Sequence, residues 1–396
     1  MRFPKWGLWL SATLVLMAGS SVGTWYWLTQ VEPGVRIPAS MRNNKEFAQF
    51  VQTYQLIRSK TIWSNSPHQL LVGAINGMVG TLHDQFSNYL SPSSTKNFNA
   101  LLNPTFTGIG IEVEPEAHDL RIMQVFSHSP AALAGLKPGE LIVDVNHISV
   151  ASMNPIQALS RIRGPVNTYV TLTVEDHNQL QTHRIEREKI ALPTVFSQMM
   201  PHHIAYMNIT EFGNNTGQEA TQQWHQLVRQ GARGLLLDLR NNPGGEVSQA
   251  LQVANLFVPK GPVVTLKFKN PAQDQTLNSD GPGTSVPIVV LVNGQTASAA
   301  EILSAAIQER QGGLLVGTRT YGKGIVQQVL SLPGHAALKL TVARYYTPNG
   351  QYIEHVGLAP NVYDPEPIDV VPSNNPNQDP QLQKAITVLL QHMAHR

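Results

Sequence analysis

The chain has 396 residues, 42% hydrophobic and only 14% charged, with a formal net charge of +2 and no cysteine. So small a charge gives no electrostatic case for nucleic acid, and the missing cysteine excludes disulfides and thiolate metal sites. The length allows two or three domains with a large buried core.

At the N-terminus Arg2 and Lys5 precede Gly7 to Leu28, a run of 22 residues without a charge. That is close to the ~20 needed to span hydrocarbon. The basic end should stay cytoplasmic, and Trp25, Tyr26 and Trp27 lie where an interfacial aromatic belt would sit. Residues 1–30 therefore predict a cytoplasmic tip and a single-pass transmembrane helix with an extracytoplasmic body. A cleaved signal peptide, with Ala18 and Ser20 as small residues before the cut, is the alternative and would leave the body secreted.

Residues 31–43, with Pro33 and Pro38, form a linker. Over 44–101 the pattern is helical: Phe47, Phe50, Val51, Tyr54 and Ile57 recur at spacings of three and four. Residues 105–190 change to a compact mixed module. Gly108 to Val113 is a glycine-led strand, Ser129 opens a short helix ended by Gly135, and Ile156 to Ile162 is a second helix. Over 191–364 strands (Ile204–Ile209, Gly234–Leu239, Val263–Phe268, Ile288–Val292, Leu314–Val316) alternate with helices (Thr216–Gln230, Val247–Phe257, Ala299–Glu309). That rhythm predicts an α/β core with a helix-covered, mainly parallel sheet. Val326 to Leu332 and Ala337 to Tyr346 read as a hairpin. Residues 365–396 are a Pro- and Asn-rich tail with a last helix from Pro380 to Met393.

Three stretches carry chemistry. Ser298 follows the strand Ile288–Val292 and opens a helix, so free N–H groups there can stabilise an oxyanion. Read alone it is an ordinary N-cap serine, a role Thr296 can also fill. Lys323 stands between Gly322 and Gly324 and becomes a base only if burial depresses its pKa. Gln327, four residues on, is a neutral amide suited to orienting that amine. Arg240-Asn241-Asn242-Pro243-Gly244-Gly245 follows a strand, and paired glycines at a strand's carboxyl end expose backbone donors. Residues 317–323 spell a P-loop up to its last position. Gly324 replaces the needed hydroxyl and a strand follows, which excludes a nucleotide site. No metal-peptidase motif occurs, and no cofactor or metal is expected.

Leu239 to Gly245, Thr296 to Ile302 and Thr320 to Gln327, in this order, closely resemble the carboxyl-terminal processing peptidases, the tail-specific serine proteases of family S41. The module at 105–190 resembles the PDZ domain these peptidases carry. The resemblance implies an α+β multidomain protein: a helical N-terminal region, an inserted PDZ domain and a serine protease core. It implies Ser298 as nucleophile, Lys323 as general base, Gln327 as the lysine-orienting residue, and the amides of Gly244 and Ala299 as oxyanion donors. It implies that Gly108, Ile109, Gly110 and Ile111 capture a substrate's C-terminal carboxylate while the peptide adds as a strand. The substrates are then proteins or peptides with accessible, nonpolar C-termini. Arg161 or Arg163 is a candidate bridge by which the PDZ domain gates the protease site. The region 44–101 is a candidate homodimer contact, as in relatives. Thr296 and Ala300 depart from the family's usual serines without touching the nucleophile. Thr318-Arg319 departs from the usual Gly-Glu, and nothing in the sequence explains it. The rival from another class is a non-catalytic PDZ scaffold that kept the protease fold.

Overall fold

The computed structural model describes residues 38–102, 105–116, 119–126, 129–365 and 374–394. The expected anchor over residues 7–28 lies outside them; among the described residues no helix is long and apolar enough to cross a membrane. The chain divides into two compact units, residues 1–99 with 194–396, and residues 100–193.

The first unit is built on a six-stranded sheet in the order Val195–Met200, Ile204–Ile209, Gly234–Asp238, Ile288–Val292, Leu314–Gly317, Val362–Tyr363. Only the Val195–Met200 pairing is antiparallel; the rest are parallel. The two central strands are apolar at nearly every position because both of their faces are covered. Leu235, Leu237, Val290 and Val292 face a cluster with Trp224, Phe257 and Leu303 from three helices. Leu236, Val289, Leu291 and Val316 face Leu382, Ala385 and Leu389 of the last helix, Pro380–Ala394. The period-two alternation of a strand thus divides one apolar run between two cores.

Val263–Phe268, read as part of the parallel run, belongs to a second, antiparallel sheet. There Pro259–Phe268 pairs with Gln275–Pro282 and with Ala337–Tyr346. The cause is local: Asn270 and Pro271 turn the chain straight back, and a parallel crossover needs a dozen residues or more. Ile325–Ser331 forms a hairpin with Ala337–Tyr346, and Asn88–Leu90 adds to the opposite side of that strand.

The N-terminal helices Lys45–Lys60 and Pro67–Gly80 contain no buried residue. Their apolar stripe exists, but nothing among the described residues buries it; Phe50 is 44% exposed. In the second unit an antiparallel sheet runs Ile111–Glu116, Asp119–Val125, Leu141–Val145, Tyr169–Asp176, Gln179–Glu186. Ala158 and Ile162 of the helix Pro155–Ile162 share its core with Leu120, Ile142 and Leu172. The glycine-led strand is broken at Gly110, whose φ is +81°. Thr105–Gly108 pairs with Glu188–Ala191, and Ile111–Glu116 forms an edge of the larger sheet.

Candidate active site

Ser298 immediately precedes the helix Ala299–Ala306, at the carboxyl end of the central strand Ile288–Val292. Its φ of 55° and ψ of −118° lie in a region that non-glycine residues rarely adopt, at a cost of order 1–3 kcal/mol. The loop before it is tied to the neighbouring strand. Thr296 Oγ1 donates to Leu239 O (2.8 Å), Asn293 N donates to Thr296 Oγ1 (2.9 Å), and Ala297 N donates to Asn242 O (2.9 Å). Thr296 is therefore a buried brace and not the helix cap. The N–H of Ala299, in the first turn, donates to no acceptor among the described residues.

Gly244 packs directly against this loop. A Cβ there would lie 2.7 Å from Ala297 O, 2.8 Å from Ser298 Cβ and 2.9 Å from Ala299 N, and its φ is +95°. Only glycine fits such an approach. Its own N–H donates to Asn242 Oδ1 (2.8 Å), whose Nδ2 donates to Ile209 O (2.8 Å). Within the turn it is Gly245 whose N–H donates to no acceptor among the described residues, which motif reading alone does not single out.

Lys323 lies in the loop between the strands Leu314–Gly317 and Ile325–Ser331; a strand, not a helix, follows it. Gly322 has a φ of +83°, and a Cβ there would meet Gly357 N at 2.7 Å, so the loop packs tightly on the 353–357 turn. Lys323 is half-buried, and its Nζ sits 5.1 Å from the centre of the Phe86 ring. Burial pushes the amine below its ordinary value, and the nearby Lys339 charge adds to this; Glu354 and Glu301 oppose both. Gln327 Nε2 reaches Thr341 Oγ1 at 3.5 Å. No hydrogen bond joins Ser298 Oγ to Lys323 Nζ, or Gln327 to Lys323.

The two loops are joined instead through a residue given no role above. Glu301 is fully buried. Its Oε2 accepts from Ser298 N (2.8 Å) and from Lys323 N (2.9 Å). Its Oε1 accepts from Thr320 Oγ1 (2.5 Å) and Gly322 N (2.8 Å). Tyr321 N also donates to Thr296 O (3.0 Å). One carboxylate oxygen thus holds the backbones of Ser298 and Lys323 side by side. Tyr345 OH donates to Ser298 O (3.3 Å), and burial, then the Glu301 charge, raise that phenol well above its ordinary value. The sequence did carry a signal for Glu301. A carboxylate in the first turn of an otherwise apolar, buried helix must have several donors around it.

Below the site, Arg240 bridges Asp238 (2.6 Å) and Asp379 (2.8 Å), all three buried. This ties the strand end before the Gly244 turn to the last helix. In the other unit, Ser129 Oγ donates to Gly110 O (3.2 Å), Phe126 N donates to the same oxygen (2.9 Å), and Ala131 N donates to Ile109 O (2.9 Å). Arg163 caps the helix Pro155–Ile162 by its backbone, with its side chain exposed.

Residues 203–363 match the model of peptidase family S41, residues 121–176 a PDZ domain, and residues 27–94 the N-terminal domain of activating protease CtpB. The carboxy-terminal processing protease CtpA of Bacillus subtilis is 36% identical over 321 residues, covering 81% of this chain and 69% of the relative. The carboxyl-terminal-processing protease of Synechocystis is 33% identical over 324 residues, covering 80% and 76%. The fold is similar to the solved photosystem II D1 C-terminal processing protease, with a TM-score of 0.51, 27% identity, and coverage of 88% of this chain and 92% of that one. On relatives this similar over most of both lengths, the chain belongs to peptidase family S41 and is a serine-type carboxy-terminal processing peptidase.

Proposed function

We propose that the peptidase works through a Ser298–Lys323 dyad. The observation that carries this reading is the buried Glu301 carboxylate, which holds both backbone N–H groups on one oxygen. Neutral Lys323 takes the Ser298 proton, and Ser298 attacks the peptide carbonyl. The Ala299 N–H, which has no acceptor among the described residues, and the N–H of Gly244 receive the oxyanion. The Gly244 donor must first leave Asn242 Oδ1. Lys323 returns the proton to the leaving amine, water enters, and the acyl-enzyme is hydrolysed. Gln327 orients the amine through its neutral amide. Bonds among Ser298, Lys323 and Gln327 tighten when substrate displaces water, a common course in free enzymes.

The substrates are proteins with accessible, nonpolar C-termini. The turn Gly108–Ile111 receives the carboxylate, and the open edge strand Ile111–Glu116 offers its backbone to the peptide. Residues 7–28 anchor the chain with its body extracytoplasmic. The uncovered faces of Lys45–Lys60 and Pro67–Gly80 pair two copies.

The test uses the full chain and a reporter peptide with a nonpolar C-terminus, free or amidated. Cleavage should vanish in Ser298→Ala and in Lys323→Ala, and fall with the amidated peptide. Full activity in Lys323→Ala would remove the dyad; tight binding without any turnover by the unaltered chain would favour the scaffold reading.

A further inference from the structure

A base on a glycine-flanked loop has a physical difficulty. Gly322 and Gly324 have no side chains, and Tyr321 is 55% exposed, so the residues beside Lys323 cannot keep water from its amine. Yet the amine is half-buried. One apolar group beside it comes from a part of the chain more than two hundred residues earlier. The loop between the helix Pro67–Gly80 and the strand Asn88–Leu90 brings the Phe86 ring within 5.1 Å of Lys323 Nζ.

That loop is built rather than draped. Phe86 N donates to Asp84 Oδ1 (3.0 Å) and Ser87 Oγ donates to Asp84 Oδ2 (2.5 Å). Ser87 Oγ in turn accepts from Thr341 N (3.0 Å), and Asn88 pairs with Lys339. Burial alone would raise the Asp84 carboxyl; hydrogen bonds from Ser87, Thr341 and Phe86, with the Lys339 charge, hold it below its ordinary value. Thr341 is the strand partner of Gln327, on the hairpin that begins just after Lys323. The loop is therefore tied to the hairpin that begins two residues after the base.

We propose that Phe86 is a positioning residue for the general base: its ring forms the wall that holds the Lys323 amine in place and keeps it out of water. The proposal rests on Lys323 acting as the base. The ring has two opposed effects on the amine. A cation over an aromatic face is attracted to it, which favours the charged form. Loss of hydration disfavours that form and moves buried lysines by up to about 3–5 pH units. Loss of hydration is the leading cause of the amine's lowered value, and it acts in the direction a neutral base requires. The other charges acting on the amine are Lys339 of the hairpin, Glu354 of the following turn and Glu301 of the helix. None of them changes when Phe86 is replaced.

The experiment is the pH dependence of acylation of the full chain by a fluorophosphonate probe, beside kcat/KM on the reporter peptide. In Phe86→Ala the amine gains water, and the acid limb moves to higher pH by about one unit, a tenfold lower rate on that limb. Phe86→Leu keeps an apolar wall, and Phe86→Tyr keeps the ring, so both hold the limb within a few tenths of a unit. A uniform loss in Phe86→Ala with the limb unmoved would overturn the proposal, since a merely structural phenylalanine behaves that way. Should Phe86→Ala fail to fold, Phe86→Val reads the same limb, with a smaller upward move expected and no move fatal. Lys323→Ala, run alongside, separates the two readings. Activity retained there defeats the base, whereas activity lost there with an unmoved Phe86→Ala limb defeats only the wall.

Discussion

The Ser298 side and the Lys323 side of the site are held by different means. Ser298 stands on elements that are its neighbours in sequence, a fully buried strand and the first turn of a helix, braced from outside by the 239–244 turn and Tyr345. Lys323 stands on a glycine-flanked loop, and its surroundings come from elsewhere: Glu301 beneath, the 353–357 turn beside, Phe86 above. In the proposed dyad the strained serine is served mainly by the strand and helix it joins, whereas a lysine acting as base must be dry, and dryness needs side chains from several segments.

The largest effect that would sharpen this contrast comes from Gly244→Ala, on the Ser298 side. The added methyl meets Ala297 O, Ser298 Cβ and Ala299 N within 3 Å. It should cost at least about 10²–10³-fold in kcat, the size of a lost oxyanion donor. Unaltered kcat would show that the Gly244 turn is not part of the site.

Glu301→Gln comes next, because it touches both sides at once. The amide offers one acceptor oxygen to four donors, and its own NH₂ faces N–H groups. Hydrogen bonds to a charged group contribute about 1.5–3 kcal/mol, so kcat should fall by roughly ten- to a hundredfold. A fall in folding stability with unchanged kcat would reduce Glu301 to a structural brace.

Ser298→Gly tests the strain. Glycine relieves the φ of 55°. The glycine variant should resist denaturant better than Ser298→Ala by about 1–3 kcal/mol. Equal stability of the two would mean the turn is not strained.

The smallest effect concerns Lys323 and pH. Its folded-state value is depressed, so the unfolded chain binds more protons between the folded value and the ordinary lysine value. Stability contributed by this residue therefore rises with pH through that window and is lowest below it. Lys323→Met should be more stable than the unaltered chain at neutral pH, with the advantage fading as pH approaches 10.5. An advantage independent of pH would mean that the amine is not desolvated.

Much of the backbone around the candidate site was legible in the residues. The strand-to-helix placement of Ser298, the glycine turn at 244 and the strand after Lys323 all follow from apolar runs and glycine positions. The placement of Val263–Phe268 was not legible, because a short apolar strand reads alike in parallel and antiparallel sheets, and only the turn at Pro271 decides between them. Glu301 was visible as a letter but not as a hub, since its four donors lie at positions 298, 320, 322 and 323.

The sequence by itself determined the elements: which runs are strands, where helices open, and which glycines the backbone needs. It did so because periodicity and the steric freedom of glycine act over a few residues. Only the tertiary structure decided which side chains surround the amine of Lys323. Burial and hydrogen bonding to a shared carboxylate are properties of space, and the chain brings Phe86, Glu301 and Lys323 together from three distant segments.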